Sequence, residues 1–281
     1  MPYENLKQML NKAKNGAYAV PAFNILNHIT ARAVTNTCAR LKSPVILQTS
    51  VATVKQCGVE GLAEFIVPMA KNAPVPVAVH LDHCRDADLA KACIDAGWSS
   101  VMVDYSHLPL AENIANTRAI ADYAAGRATV EGELGAVSGV EDDISVAEGE
   151  DCLADAGEAV EFVATAGIDV FAPAIGTAHG FYKHRPNIDF GLFEKLAGII
   201  NVPLVIHGGT GLDAEVFKKL VALGAAKINI SSAIKKAYVD GAAAYLKTGG
   251  KNPLEMDAAI AKSVDAVVEQ HIKIFGSEGR A

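Results

Sequence analysis

No stretch of this 281-residue chain comes near the roughly 20 consecutive apolar residues that cross a bilayer. The opening segment, Met1 to Asn15, is polar and lysine-bearing with no apolar centre, so it does not read as a secretory leader. Cysteine is sparse and unordered. Cys38, Cys57, Cys84, Cys93 and Cys152 form an odd set with no C-x-x-C. That argues against a disulfide framework and a cysteine zinc site, and it points to a reducing, cytoplasmic setting with the thiols buried as small apolar groups. Positive charge is short as well, with 25 Lys+Arg against 32 Asp+Glu and a formal net charge of −7. With no basic cluster, such a surface does not favour nucleic acid or anionic lipid. No linker rich in Pro, Gly or Ser and no low-complexity tract divides the chain. We expect one domain over residues 1–281, long enough to bury a large core unaided.

What is present is an alternation. Short β-branched apolar runs recur at Tyr18–Phe23, Val45–Thr49, Val77–Leu81, Val101–Asp104, Ala128–Glu133, Asp169–Ala174, Leu204–His207 and Lys227–Ile230. Between most of them lie stretches with apolar residues at three- and four-residue spacing: Ile29–Leu41, Glu60–Lys71, Ala87–Ala96, Leu110–Ala124, Ala156–Thr165, Phe190–Ile199 and Ala214–Leu223. Gly97, Gly126, Gly167 and Gly224 follow such stretches as helix stops. Eight strand–helix units predict an α/β fold, a parallel sheet closed into a (β/α)8 TIM barrel. Extra C-terminal helices are expected between Ala233 and Phe275. An open doubly wound sheet competes, but no G-x-G-x-x-G follows the first strand. The acidic, glycine-bearing segment Ser138–Asp155 reads as a long loop after the fifth strand.

Polar residues gather at the C-terminal ends of these runs: Asn24, Ser50, Asp82-His83, Asp104, Glu131 and Glu133, His179, His207 to Thr210, and Asn229 to Ser232. In a barrel those ends converge on one rim, where active sites lie. Three imidazoles, His83, His179 and His207, then form the usual catalytic zinc set with a position left open. Asp82 beside them either moves a proton at a substrate hydroxyl or orients a ligand histidine. Asp104 and Glu133 either take a second metal position or hold the histidines in place. Glu131 shares strand parity with Glu133. His107, His184 and His271 lack such placement and are expected on the surface or in loops, whereas His80 and His28 are read as packing. His207-Gly208-Gly209-Thr210-Gly211 after the seventh strand and Asn229-Ile230-Ser231-Ser232 after the eighth fit the phosphate site of this fold.

At this point the strings His80-Leu81-Asp82-His83, Met102 to His107, Glu131 to Gly135, Gly176-Thr177-Ala178-His179-Gly180 and His207 to Gly211 resemble the class II fructose- and tagatose-bisphosphate aldolases. Asn229 to Ser232 and Phe275-Gly276-Ser277 fit too, and the likeness runs in order through nearly the whole chain. The resemblance implies a Zn2+ ion on His83, His179 and His207, and Asp82 acting on the C4 hydroxyl proton. It implies Asp104 and Glu133 as positions for a second or displaced metal, and Glu141 as the residue exchanging the C3 proton. Gly180, Gly208, Gly209, Thr210, Asn229, Ile230, Ser231 and Ser232 would hold dihydroxyacetone phosphate, with sodium or potassium alongside. Ser50 is also taken as a substrate-binding residue. A sugar phosphate substrate and a homodimer or homotetramer are implied.

The likeness has gaps. Cys84-Arg85 follow His83 where family members carry small residues. Where many relatives place an arginine for the far phosphate, this chain has Ala261, and the preceding D-P-R reads Asn252-Pro253-Leu254. Arg85 is the candidate replacement. The expected substrate is therefore fructose or tagatose 1,6-bisphosphate, or alternatively a C6-modified ketose 1-phosphate such as 6-deoxy-6-sulfofructose 1-phosphate. A metal-dependent hydrolase on the same barrel is the competing class. A Schiff-base mechanism is disfavoured, because Lys227 alone lies near a strand end, at the start of the eighth run and on the wrong rim.

Overall fold

Val, Ile and Thr pack well on a pleated surface, so the β-branched runs become strands that need neighbours on both sides. A computed structural model describes residues 3–141, 144–146, 153–182 and 186–281. Its strands are β1 (Val20–Asn24), β2 (Val45–Ser50), β3 (Val77–Cys84), β4 (Ser100–Val103), β5 (Thr129–Leu134), β6 (Ser138–Glu141), β7 (Ile144–Val146), β8 (Val170–Pro173), β9 (Ala178–His179), β10 (Leu204–Ile206) and β11 (Ala225–Ile230). Its helices are α1 (Leu6–Gly16), α2 (His28–Arg40), α3 (Val51–Cys57), α4 (Val59–Asn72), α5 (Ala87–Asp95), α6 (Leu110–Ala124), α7 (Ala156–Ala166), α8 (Phe190–Ile199), α9 (Ala214–Ala222), α10 (Ser232–Lys247) and α11 (Pro253–Ile274).

Eight strands close into a barrel in the order β1-β11-β10-β8-β5-β4-β3-β2, and every ladder in it is parallel. These are the eight expected runs, so the (β/α)8 barrel stands and the open sheet does not. Two apolar cores follow from strand alternation. The larger lies between the strands and the surrounding helices. The smaller fills the barrel with short side chains such as Val20, Ala22, Ala78, Ala172 and Ala226, and α1 adds Leu6, Met9, Leu10 and Ala13 to it. Each of α1's large apolar side chains is fully buried, contributing on the order of ~1.5–3 kcal/mol apiece. The expected helix set omits α1, although positions 6, 9, 10 and 13 carry its buried face. The two C-terminal helices form as expected, as α10 and α11.

Four expectations need correction. Ser138–Asp155 is not a plain loop: β6 and β7 pair antiparallel, and β6 runs parallel to β9 through Ser138–Ala178 and Gly139–His179. Cys57 is exposed rather than buried, while Cys152 lies outside the described residues. His271 is buried among Phe23, Phe217 and Phe275, and its Nδ1–H donates to Val267 O at 2.7 Å. Lys227 is the third residue of β11, not the first, and its side chain is fully buried inside the barrel. His184 lies outside the described residues.

Candidate active site

A bulge in β3 builds the centre. The β3–β4 register shifts between Leu81 and Cys84, and His83 adopts a left-handed backbone at φ +46°. On a regular strand Asp82 and His83 would face opposite sides. The bulge sends both into one pocket. Asp82 accepts from Asn24 Nδ2 at 3.0 Å and from Asn229 Nδ2 at 3.2 Å, and Gln48 Nε2 steadies Asn24 at 2.8 Å. The carboxylate is thus gripped by amides from β1 and β11.

His179 ends β9 and His207 directly follows β10. Their rings stand 4.8 Å and 4.5 Å from that of His83, and one ligand atom from each of the three lies within 4.8 Å of the others. His207 Nδ1 faces His83 Nε2 at 2.7 Å, and its Nε2 lies 2.9 Å from Glu131 Oε1. A carboxylate only accepts, so His207 Nε2 carries the proton and Nδ1 keeps its lone pair. Burial, and then the neighbouring His83, pull His207 down to about 3.

A second donor group, His83, Asp104 and Glu133, lies on the other side of the His83 ring. His83 Nδ1 is 3.5 Å from Asp104 Oδ2 and 3.8 Å from Glu133 Oε2. Burial lowers the His83 pKa, but Asp82, Asp104 and Glu133 outweigh it and hold the group well above its usual value. Burial, then Asp104, pushes Glu133 well above the carboxylate range. For Asp104 burial pulls upward, but His83, Ser106 and Arg85 win and hold it low. His83 Nδ1 and Glu133 Oε2 are buried with no hydrogen-bond partner among the described residues. One imidazole and two carboxylates in this arrangement make a donor set that could hold a cation.

Beside the imidazoles lies a cleft lined by His179, Gly180, Gly208, Gly209, Thr210, Asn229, Ser231 and Ser232. These are candidate residues drawn from both glycine- and hydroxyl-bearing strings. Ile230 is buried behind them. Glycine is required at Gly209, where a Cβ would stand 2.6 Å from Asn229 O, and at Gly208, with φ +68° and Ala178 O at 2.5 Å. Tyr182 holds this cleft in shape: its hydroxyl accepts from Ala178 N at 2.9 Å and donates to Gly208 O at 2.7 Å.

The remaining candidates divide. Ser50 sits level with Asp82, but its hydroxyl caps α3, accepting from Thr53 N at 3.3 Å. Arg85 is exposed and reaches Asp104 Oδ2 at 3.3 Å, rather than Asp86 or Asp88. Glu141 ends β6, two residues beyond the Gly139–His179 pairing, and its side chain lies outside the described residues. His107 is exposed as expected. His80 is fully buried, also as expected; His28 is exposed, against the packing reading, with its ring edge-on to Phe65. Sequence reasoning passed over Tyr182, Gln48 and Ser106, whose Oγ donates to Asp104 at 2.6 Å. Ser106 lies inside the Met102 to His107 string, but no local string marks Gln48 or Tyr182, whose partners Asn24 and Gly208 lie 24 and 26 residues away.

The profile of the family described as fructose-bisphosphate aldolase class-II matches residues 4–280. Among solved structures, the chain is similar to the YdjI aldolase of Escherichia coli K12, at 30% identity and TM-score 0.89 over 100% of both chains. It is also similar to a candidate fructose-1,6-bisphosphate aldolase of Coccidioides immitis, at 28% identity and TM-score 0.92, covering 98% of this chain and 97% of the other. The fructose-bisphosphate aldolase of Campylobacter jejuni shares the fold at 21% identity and TM-score 0.83, over 98% of this chain and 95% of its own.

Proposed function

This chain belongs to the class II fructose-bisphosphate aldolase family and is a lyase, and from that premise we propose that it cleaves a ketose 1-phosphate or 1,6-bisphosphate with a zinc ion held by His83, His179 and His207. The products are dihydroxyacetone phosphate and an aldehyde. One observation carries this reading: His179 belongs both to the imidazole cluster beside Asp82 and to the glycine-lined cleft. The donors fit zinc, being buried imidazoles, one of them backed by a carboxylate. Asp104 and Glu133 offer a second position to the same or another cation. A zinc ion there supplies a Lewis acid for the ketone end of the substrate.

The chain's own residues do the rest. Backbone N–H groups at Gly180, Gly208 and Gly209, with the hydroxyls of Thr210, Ser231 and Ser232, take the phosphate. Asn229 Oδ1 and Ser231 Oγ are buried with no hydrogen-bond partner among the described residues, and suit a substrate hydroxyl or a sodium or potassium ion. Asp82, oriented by Asn24 and Asn229, removes the C4 hydroxyl proton. The C3–C4 bond breaks, its electron pair stays on C3 in conjugation with the C2 carbonyl, and C4 leaves as the aldehyde carbon. Glu141 returns a proton to C3. Lys227 takes no part as a Schiff base, since its ammonium is buried and bonded to both oxygens of Glu131.

Fructose or tagatose 1,6-bisphosphate is the favoured substrate. A C6-modified ketose 1-phosphate, such as 6-deoxy-6-sulfofructose 1-phosphate, is the second reading. It draws on Ala261, which packs against the core from α11 where the family likeness expects an arginine. The test is a cleavage panel of ketose 1-phosphates varied at C4 and C6, with and without a chelator. Dihydroxyacetone phosphate should appear without water uptake and only with metal. Release of inorganic phosphate instead, or full cleavage after exhaustive chelation, would overturn the reading.

A further inference from the structure

Beneath the three imidazoles, the barrel interior holds polar side chains that the cleavage chemistry does not use. Ser100 comes from β4, His80 from β3, Lys227 from β11 and Glu131 from β5, and all four side chains are fully buried. Four buried polar groups beside an apolar filling such as Val20, Ala22, Ile46 and Ala226 are expensive unless each has a partner. Here each has one. His80 Nδ1 lies 2.7 Å from Ser100 Oγ, and His80 Nε2 lies 3.3 Å from Lys227 Nζ. Lys227 Nζ lies 3.0 Å and 2.8 Å from the two oxygens of Glu131. Glu131 Oε1 in turn lies 2.9 Å from His207 Nε2.

The hydrogen-bond roles in this chain are forced. An ammonium only donates, so His80 Nε2 accepts and its Nδ1–H points to Ser100. A carboxylate only accepts, so it takes both Lys227 and the Nε2–H of His207. The far end of the chain is therefore the lone pair of His207 Nδ1, which faces His83 Nε2 at 2.7 Å and Asn229 Nδ2 at 3.1 Å. No other tautomer of His207 satisfies Glu131.

Resting on the zinc reading above, we infer that the buried Lys227–Glu131 ion pair is a positioning device for the metal: it locks His207 as an Nδ1 ligand and raises its donor strength. Lys227 matters because it satisfies a carboxylate that has no access to water and holds it in register with His207. Asn229 works on the same ring from above, with Nδ2 3.1 Å from His207 Nδ1. Ser100, His80, Lys227 and Glu131 touch neither substrate nor reacting atoms, so they are positioning residues and not catalytic ones. Their effect reaches the reaction through the affinity and geometry of the metal position.

The experiment measures zinc binding directly, on metal-stripped full-length protein, by competition with a chromophoric chelator. It compares wild type, Glu131→Gln and the double variant Glu131→Met/Lys227→Met. The single variant leaves a buried ammonium short of its partner and is prone to misfolding. The double variant replaces a buried ion pair by apolar groups of similar length, an exchange that cores often tolerate. Thermal melts and circular dichroism establish the folded fraction of each. The double variant is expected to fold, with zinc held about 10- to 100-fold more weakly, the range for losing a carboxylate behind a ligand histidine. The visible spectrum of its cobalt-substituted form should shift as well, which a support role distant from the metal would not produce. A folded double variant with wild-type zinc affinity and an unchanged cobalt spectrum overturns this inference and leaves the zinc reading intact. Failure of the wild type itself to take up zinc overturns both. If the double variant does not fold, Glu131→Gln decides through the affinity of its folded fraction, with the same two outcomes.

Discussion

Asp82 and His83 are consecutive on β3, yet both side chains face the same pocket, because the strand bulges between Leu81 and Cys84. This places a carboxylate held by two amides directly beside one of the three clustered imidazoles. Asp82→Asn keeps the shape but loses the base, and it turns an acceptor into a partial donor facing Asn24 and Asn229. Cleavage should fall by about 10²-fold or more. Exchange of the C3 proton of dihydroxyacetone phosphate should survive better, as measured by deuterium wash-in.

Glu141→Gln is expected to show the opposite order of damage. The β6–β9 ladder runs Gly139 beside His179, so the backbone at Glu141 is tied to the element that carries one of the three clustered imidazoles. Proton exchange at C3 should drop more than C3–C4 cleavage in single-turnover experiments. Equal loss of both steps in both variants would refute the division of labour.

Much of this arrangement is legible in the residues themselves, for a physical reason. In a closed parallel barrel every strand's C-terminal end reaches one rim. A polar residue at the end of an apolar run therefore has only one place to go. That logic brings His83, His179 and His207 together across 124 residues without any contact information. It fails where side chains act across the barrel or where the backbone departs from regularity. Strict alternation cannot put both Asp82 and His83 inward; only the left-handed His83 does so. Lys227 lies in mid-strand, and its partner Glu131 is 96 residues away. The β6–β7 hairpin hides because its strands, Ser138–Glu141 and Ile144–Val146, are too short to set up a periodic signal. Burial of His271 depends on the packing of α11 against β1 and α9, which no single helix reveals.

Tyr182→Phe should weaken the phosphate end selectively. The variant loses two hydrogen bonds, to Ala178 N and Gly208 O, that tie together the two sides of the cleft. At about 1 kcal/mol each, the loss corresponds to roughly 30-fold in the affinity for dihydroxyacetone phosphate. Zinc content should stay at the wild-type level. Calorimetric titration with unchanged affinity would show that the cleft keeps its shape without the tyrosine.

His271 supplies a pH prediction away from the site. Burial lowers its folded pKa below the ordinary 6.5, with the hydrogen bond to Val267 opposing. Its neutral form is thus favoured in the folded state, and the unfolded chain binds the extra proton first. Its contribution to stability is full above pH 6.5 and is lost as pH falls from there toward the folded value. His271→Phe should therefore shrink the fall in Tm between about pH 7.5 and about pH 5.5. An identical fall in both proteins would place the acid sensitivity elsewhere.

Arg85 tests the far end of the substrate. Its guanidinium reaches Asp104 with one nitrogen at 3.3 Å, and the side chain is 39% exposed at the barrel mouth. Arg85 makes a single 3.3 Å contact from the exposed side, and buried Asp104 keeps His83 and Ser106 as partners, so Arg85→Ala should lower Tm only slightly. The guanidinium's unused N–H groups can grip an oxyanion at C6 by two parallel hydrogen bonds. Arg85→Ala should then raise KM sharply for a substrate with a C6 phosphate or sulfonate, and barely alter turnover of a ketose 1-phosphate uncharged there. Arg85→Lys should rescue only part of the loss, because an ammonium keeps the charge but not the fork. Steady-state kinetics on the same substrate panel decide the matter. Unchanged KM for every substrate would reduce Arg85 to a partner of Asp104 and leave any C6 anion to be held by other residues.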